Sequence, residues 1–441
     1  MKLQSLKVEN FRCFESVSLD FEEDLNVIVG VNGSGKTAIL DAIRFALCEV
    51  GLPPGMNGYA FGNQSIQHQY YSRFLSKDDA HIGKKALPFN REYVNFTCSA
   101  KVISRDWPVE WVQKTPLGTD PIPHSVELES IRAFMMELWN QVNRDPKTVI
   151  SVPVYYPAYR RISKVPDLGN VLDVTFERQS AFYEALNAGI NFQSACQWFY
   201  LRESTELRES TKRKDFDFEY HDLKAIRNAL KNSIDGVERV FFDHSTPSRL
   251  KVAIGGTELA LDQLSDGYRS QVAMIFDFAR RLAIANPEMD NPLEAPGILL
   301  IDEIELHLHP KWQQTIIPSL RKAFPNTQLI VTTHSPQVLT SVESRCIRIL
   351  KDNQITCIDE EIHGGEAKRA LERILETKSR PPESPFGKSI EEVFRLINSD
   401  MLDEAESKLN AIDDRVKEYE STYLEAESAL ACRRWEKEAQ S

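Results

Sequence analysis

The sequence predicts an α/β fold: a mixed sheet carries a phosphate loop, a helical lid insertion interrupts it, and a helical extension follows. Three strand endings predict this. Asp24-Leu25-Asn26-Val27-Ile28-Val29 runs into Gly30-Val31-Asn32-Gly33-Ser34-Gly35-Lys36-Thr37 and then a helix-spaced stretch, Ala38 to Leu47. Ile298-Leu299-Leu300-Ile301 ends in Asp302-Glu303, and Thr327-Gln328-Leu329-Ile330-Val331-Thr332-Thr333 ends in His334. Continuous apolar strands of this length are those of a sheet covered on both faces, and such sheets present their functional residues at strand carboxyl ends.

The chain opens with an alternating segment, Met1 to Val8, which reads as a half-buried strand. The phosphate loop follows with the spacing G-x-x-x-x-G-K-T, between a strand and a helix as the motif requires. Its glycines let backbone N–H groups of Asn32, Gly33, Ser34 and Gly35 close around phosphate oxygens, and the helix N-terminus adds its positive dipole end. Lys36 is placed to reach the β- and γ-phosphates of ATP, and the Thr37 hydroxyl to coordinate Mg²⁺. Downstream, Gln263-Leu264-Ser265-Asp266-Gly267-Tyr268-Arg269-Ser270 is a turn opening a helix; read alone, it is an ordinary helix cap. Asp302 is placed to hold Mg²⁺ through water, and Glu303 to polarise an attacking water. His334, at its strand end, is placed to hydrogen-bond a γ-phosphate.

Composition bounds the class. The chain has 441 residues, 42% hydrophobic and 27% charged, which is ordinary for a protein with a buried core. No apolar run reaches the roughly 18 residues of a membrane span, and the first residues lack the apolar core of a secretory signal. A cytoplasmic protein with no membrane contact is expected. Seven cysteines without a C-x-x-C pair or zinc spacing read as reduced thiols. A net charge of −12 argues against whole-surface nucleic-acid binding. DNA or RNA contact is left to local basic runs such as Arg160-Arg161 or Lys212-Arg213-Lys214.

In this order the motifs resemble those of the ABC ATPase superfamily. Leu6-Lys7-Val8-Glu9-Asn10-Phe11-Arg12-Cys13-Phe14, L-S-D-G-Y-R-S and D-E-I-E-L-H-L-H-P are similar to the corresponding stretches of RecF-like and SMC-like heads. The resemblance implies an ABC-type P-loop NTPase head that binds ATP and Mg²⁺ and works as a homo-oligomer, at least a pair of heads. Ser265, Asp266 and Gly267 are then the signature motif, which contacts the nucleotide of a second subunit. Glu305 to Pro310 occupies the D-loop position. The family's Q-loop suggests a further polar residue near the metal, and Asp79, in Ser76-Lys77-Asp78-Asp79-Ala80-His81, is the candidate.

Spacing narrows the resemblance. The 227-residue step from Thr37 to Leu264 has no sustained heptads, and ten prolines fall between Pro53 and Pro157, so a long coiled-coil arm is excluded. A compact, mostly helical insertion is expected instead. Val152 to Arg160 reads as a strand ending in an aromatic turn, and Phe192 to Glu203 as a helix with an aromatic face; both resemble the lid region of bacterial anti-phage ATPases. The expected organisation is an N-terminal lobe over 1–75, strands and lid over 76–255, a C-terminal lobe over 256–360 and an acidic helical extension over 361–441.

Residues 360–441 carry thirteen basic and twenty acidic side chains. Their net negative charge suits protein contacts better than phosphate backbones. Ile390 to about Arg434 reads as two helices with a turn near Asn398-Ser399-Asp400. No TOPRIM acidic cluster, H-N-H pattern or second nucleotide loop is found in this tail. A nuclease-free head with a helical tail resembles PtuA, the ATPase subunit of Septu and of some retron defence systems. That resemblance implies an ATPase that senses for or gates a separate HNH nuclease. Two alternatives remain open at this point: a RecF-like repair or recombination ATPase, and an ATP-bound scaffold with little turnover.

Overall fold

The computed structural model describes residues 1–48, 50, 93–101, 108–116, 129–159, 177–187, 192–243, 248–358, 361–365, 367–375, 384–412, 417 and 421–440. Asp79, proposed above for the metal, lies outside the described residues, as do Arg160 and Arg161. The chain divides into two compact units, Met1–Ala370 and Leu371–Ser441.

The first unit is built on a six-stranded sheet. β1 (Lys2–Phe11) and β2 (Phe14–Asp20) precede β3 (Leu25–Val29), the strand before the phosphate loop. α1 (Lys36–Ala46) follows, then β4 (Tyr93–Lys101), β5 (Pro108–Pro116), α2 (Glu129–Arg144) and β6 (Val152–Tyr156). The helices α3 (Phe192–Arg213) and α4 (His221–Ser233) lead to β7 (Val237–Asp243), β8 (Arg249–Ile254) and β9 (Thr257–Ala260). The turn at Ser265, the expected signature motif, opens α5 (Asp266–Ala285); β10 (Gly297–Ile301), α6 (Pro310–Ala323), β11 (Thr327–Thr333) and α7 (Pro336–Leu339) come next. β12 (Ile347–Lys351), β13 (Gln354–Cys357) and α8 (Ala367–Arg373) complete the series.

The large sheet has the order β13-β12-β3-β11-β10-β6. Every pair is parallel except β12 with β13. The register sets Thr333 beside Val29, Val331 beside Ile301, and Ile301 beside Tyr156. The carboxyl ends of β3, β11, β10 and β6 therefore open on one rim of the sheet. All residues of these four strands are buried, which explains their unbroken apolar runs.

A four-stranded antiparallel sheet, β2-β1-β4-β5, lies against this core. One side chain stitches the two sheets. The Gln328 amide oxygen accepts from Leu3 N (2.8 Å), and its nitrogen donates to Leu3 O (2.9 Å) and Glu22 O (2.8 Å). Gln328 is wholly buried, so each of these bonds replaces water that the group has lost. Beyond the expected helices, the interval before the signature turn also supplies a small antiparallel sheet, β7-β8-β9.

α5 is buried along most of its length and carries three ions inward. Arg281 Nε and Arg280 both donate to Asp277 (2.9 and 2.7 Å), and Tyr156 Oη donates to Asp277 Oδ2 (2.9 Å). Arg281 also donates to the carbonyls of Ala181 and Tyr183. Burial pushes the Asp277 carboxyl up, but Arg281 and Arg280 outweigh it and hold the group below the usual carboxylate range. Buried ion pairs add little net stability over apolar packing, but losing one partner leaves an uncompensated buried charge. Here the network seats the signature helix against the end of β6.

The second unit is a small helical cluster. α9 (Pro385–Asn398), α10 (Leu402–Asn410) and α11 (Ser421–Gln440) pack Ile390, Val393, Leu396, Leu402, Leu409, Tyr423 and Leu430 into one core. The turn falls at Ser399–Met401, as the sequence reading has it; past it, the single second helix of that reading is two described segments rather than one. Among the described residues, no helix is long and apolar enough to cross a membrane.

Candidate nucleotide site

The phosphate loop joins β3 to α1 through two left-handed glycines, Gly33 (φ 80°) and Gly35 (φ 102°). Close packing adds a second constraint at Gly35, where a Cβ would lie 2.6 Å from Cys13 Sγ and 2.7 Å from the Phe14 ring. The opening motif that ends in Phe14 thus forms one wall of the loop. Lys36 Nζ donates to Gly30 O (3.0 Å) and Val31 O (3.1 Å), so the ammonium caps carbonyls of its own loop. Burial lowers the Lys36 pKa from its ordinary value, while Asp302, Glu303 and Glu305 pull it back up. Val31, Asn32 and Gly33 are exposed, and the Ser34 hydroxyl is buried without a hydrogen-bond partner.

The second strand ending meets the loop directly. Thr37 Oγ1 donates to Asp302 Oδ2 (2.8 Å), across 265 residues of sequence. Thr332 Oγ1, from β11, donates to the other oxygen, Asp302 Oδ1 (2.5 Å), and accepts from Glu303 N (2.8 Å). Asp302 N donates to Tyr156 O (2.9 Å), which ties it to β6 as well. Glu303 has a left-handed backbone (φ 47°), a conformation uncommon outside glycine that turns the chain sharply as it leaves the strand. Thr332 was not among the residues read as functional. Within an apolar strand it looks like a β-branched core residue, and only the sheet register shows it between Asp302 and Glu303.

The third ending adds His334. Its backbone N–H donates to Glu305 Oε1 (2.5 Å). Burial and then Lys36 lower the His334 pKa from its ordinary value, against the smaller opposing pull of Glu305 and Asp302. The imidazole is therefore neutral at physiological pH, able to donate from one nitrogen and accept at the other.

The signature residues sit differently. Ser265 and Asp266 are exposed at the start of α5, where Ser265 Oγ accepts from Tyr268 N (3.4 Å) and Asp266 pairs with Arg269. Gly267 is buried, and a Cβ there would lie 2.2 Å from His307 O. The structure thus brings Lys36, Thr37, Asp302, Glu305 and His334 together, while Ser265 and Asp266 turn outward.

Two features of the loop suit a magnesium nucleotide. Among the described residues the buried Ser34 hydroxyl has no hydrogen-bond partner, and the Lys36 ammonium donates to two loop carbonyls. Thr37 and Asp302 offer hard oxygen donors of the kind Mg²⁺ prefers. Among the described residues no group of three or more His, Cys, Asp or Glu side chains forms a ready-made metal cage.

Fold and site together define a P-loop ATPase head. Family models agree: one described as "AAA domain, putative AbiEii toxin, Type IV TA system" matches residues 151–340, and a second "AAA domain" matches residues 5–103. The chain's relatives are retron ATPases and Septu proteins. It is 27% identical to the Retron Ec83 probable ATPase of Escherichia coli, over 99% of this chain and 88% of that protein. It is also 27% identical to the Retron Vc95 probable ATPase of Vibrio cholerae, over 80% and 74% respectively. The Septu protein PtuA of Bacillus thuringiensis is 24% identical over 76% of this chain and 72% of that one. Among solved structures, an SMC head bound to the C-winged helix domain of ScpA aligns with a TM-score of 0.47 and 15% identity, over 82% of this chain and 99% of that one.

Proposed function

We propose that this chain is the ATP-hydrolysing subunit of an anti-phage defence system, working as an engaged pair of heads that gates a separate nuclease of HNH type. The observation that carries the reading is the contrast within the site. Thr37, Asp302 and Thr332 are already locked together, whereas Ser265 and Asp266 stand exposed at a helix N-terminus. A helix N-terminus is a favourable place for an anion. A nucleotide held by Lys36 and Thr37 of one subunit supplies that anion to Ser265, Asp266 and Gly267 of another.

In this reading Gly33, Ser34 and Gly35 wrap the phosphates and Lys36 leaves its loop carbonyls for them. Thr37 and, through water, Asp302 would hold Mg²⁺, which when bound neutralises phosphate charge. Glu303 takes the proton of the attacking water, with Thr332 holding its backbone. Neutral His334 donates to the γ-phosphate. Hydrolysis removes the group that bridges the two subunits, so the pair loosens; the bound γ-phosphate biases an equilibrium between engaged and open heads. Retron and Septu relatives support the defence assignment. The cytoplasm is the compartment in which such a system would act.

The test is Glu303→Gln. It should bind ATP, lower turnover by about 10³-fold, and accumulate as an ATP-dependent pair in size exclusion with light scattering. Hydrolysis at the normal rate would remove Glu303 as the base. Co-expression with a candidate HNH nuclease tests the gating: phage protection by the pair should be lost with Lys36→Ala. Protection by the Lys36→Ala chain would separate ATP from the defence role.

A further inference from the structure

Glu305 follows the catalytic pair by two residues, and the segment around it touches two parts of the machinery at once. Its upstream end is fastened to β11, with Glu303 N on Thr332 Oγ1 (2.8 Å) and Ile304 N on Thr332 O (3.1 Å). Its downstream end leans on the signature turn, since His307 O fills the space that a Cβ on Gly267 would need. Left-handed residues bracket the segment, Glu303 (φ 47°) and His307 (φ 65°), and two tight turns lie between them, Leu306 N to Glu303 O and Leu308 N to Glu305 O. Such a stretch has few ways to bend, so a displacement at one end is felt at the other.

The Glu305 side chain is the third attachment. One carboxylate oxygen accepts from the backbone of His334 (2.5 Å); the other, Oε2, is buried with no hydrogen-bond partner among the described residues. Holding one N–H needs only a neutral acceptor such as an amide oxygen. A carboxylate with half its acceptors buried and unused costs stability, which points to a role outside folding. Lys36 and His334 both lie within its electrostatic reach.

We infer that Glu305 is a positioning residue that ties the chain's own signature turn to its own His334. The inference rests on the reading of paired ATPase heads. When Ser265 and Gly267 take hold of the partner's nucleotide, the His307–Gly267 contact carries the displacement into the 303–307 segment. Glu305 then moves the His334 backbone, so each head registers whether its neighbour is loaded.

Glu305→Gln tests this, because the amide oxygen can still accept from His334 N–H while the charge and the second acceptor are lost. The expected result is a melting temperature equal to or above wild type and binding of a fluorescent ATP analogue within about threefold. Turnover should fall on the order of 10- to 100-fold at nearly unchanged KM, with a Hill coefficient for ATP drawn to 1. Wild-type kcat and Hill coefficient in a folded Glu305→Gln chain would overturn the inference. So would a loss of kcat that only parallels a loss of melting temperature. Glu305→Asp, which is too short to reach His334, should lose turnover to the same degree, and its full activity would also overturn the tie. If the folded wild-type chain neither binds nor hydrolyses ATP, the paired-ATPase reading fails instead, and that result is distinct from any difference between the variants.

Discussion

The phosphate loop and the signature turn are both glycine-bearing helix openings, yet the fold treats them in opposite ways. The loop is braced from within the chain: Phe14 and Cys13 wall it, Lys36 is 6% exposed, and Thr37 is hydrogen-bonded to a strand end 265 residues away, while Val31, Asn32 and Gly33 stay open. The turn is presented: Ser265 and Asp266 are exposed, and they bond to their own near neighbours Tyr268 and Arg269. A binding element completed within one chain is tied to distant parts of that chain, whereas one that must meet another molecule is left open with its base anchored. Gly267 against His307 and the buried Asp277–Arg281 pair provide that anchorage.

The largest effect should separate the two elements cleanly. Lys36→Ala is expected to weaken ATP binding by the isolated chain at least 100-fold, since the ammonium is the loop's only charged phosphate ligand. Ser265→Ala should leave binding within about twofold and lower turnover by about 10-fold or more, the scale of one lost transition-state contact. Equilibrium binding and steady-state hydrolysis on both variants decide it; equal loss of binding would mean the turn serves its own loop.

A smaller effect tests the braced side. Thr332→Val keeps the shape but removes the hydroxyl that donates to Asp302 and accepts from Glu303 N. It should destabilise the fold by about 1–3 kcal/mol through the groups left unsatisfied, read by denaturant unfolding, and the same loss should not appear for Ser265→Ala beyond about 0.5 kcal/mol of capping.

The smallest effect concerns pH. His334 has a pKa below that of an exposed histidine near 6.5. Between the two values the unfolded chain binds more protons than the folded one, so stability falls as pH drops below 6.5 through that window. His334→Gln should flatten this part of the stability–pH curve, and no flattening would mean that the imidazole is not held neutral by burial and Lys36.

Much of this site was legible because its motifs are local. Gly30 to Thr37 carries its own strand and helix, and Asp302-Glu303 and His334 each mark the end of a buried strand, so periodicity and punctuation suffice to find them. The edges of α1, β10 and β11 fall within two residues of the runs that predict them. Thr332, Gln328, Asp277 and Glu305 were not legible. Their partners, Asp302, Leu3, Tyr156 and His334, lie 29 or more residues away in sequence, and a polar residue inside an apolar run carries no mark of what it will face. The tail shows the same limit: amphipathic spacing predicted helix there, but not the break that separates α10 from α11.

The sequence by itself determined which atoms can meet a nucleotide, because backbone N–H groups, a lysine and a threonine at set spacing need only one strand, one turn and one helix to assemble. Tertiary structure alone decided that Asp302 meets Thr37, that Glu305 reaches His334 and that the signature turn faces outward. Those outcomes depend on strand order and register, which follow from how the whole apolar surface is buried and not from any one segment.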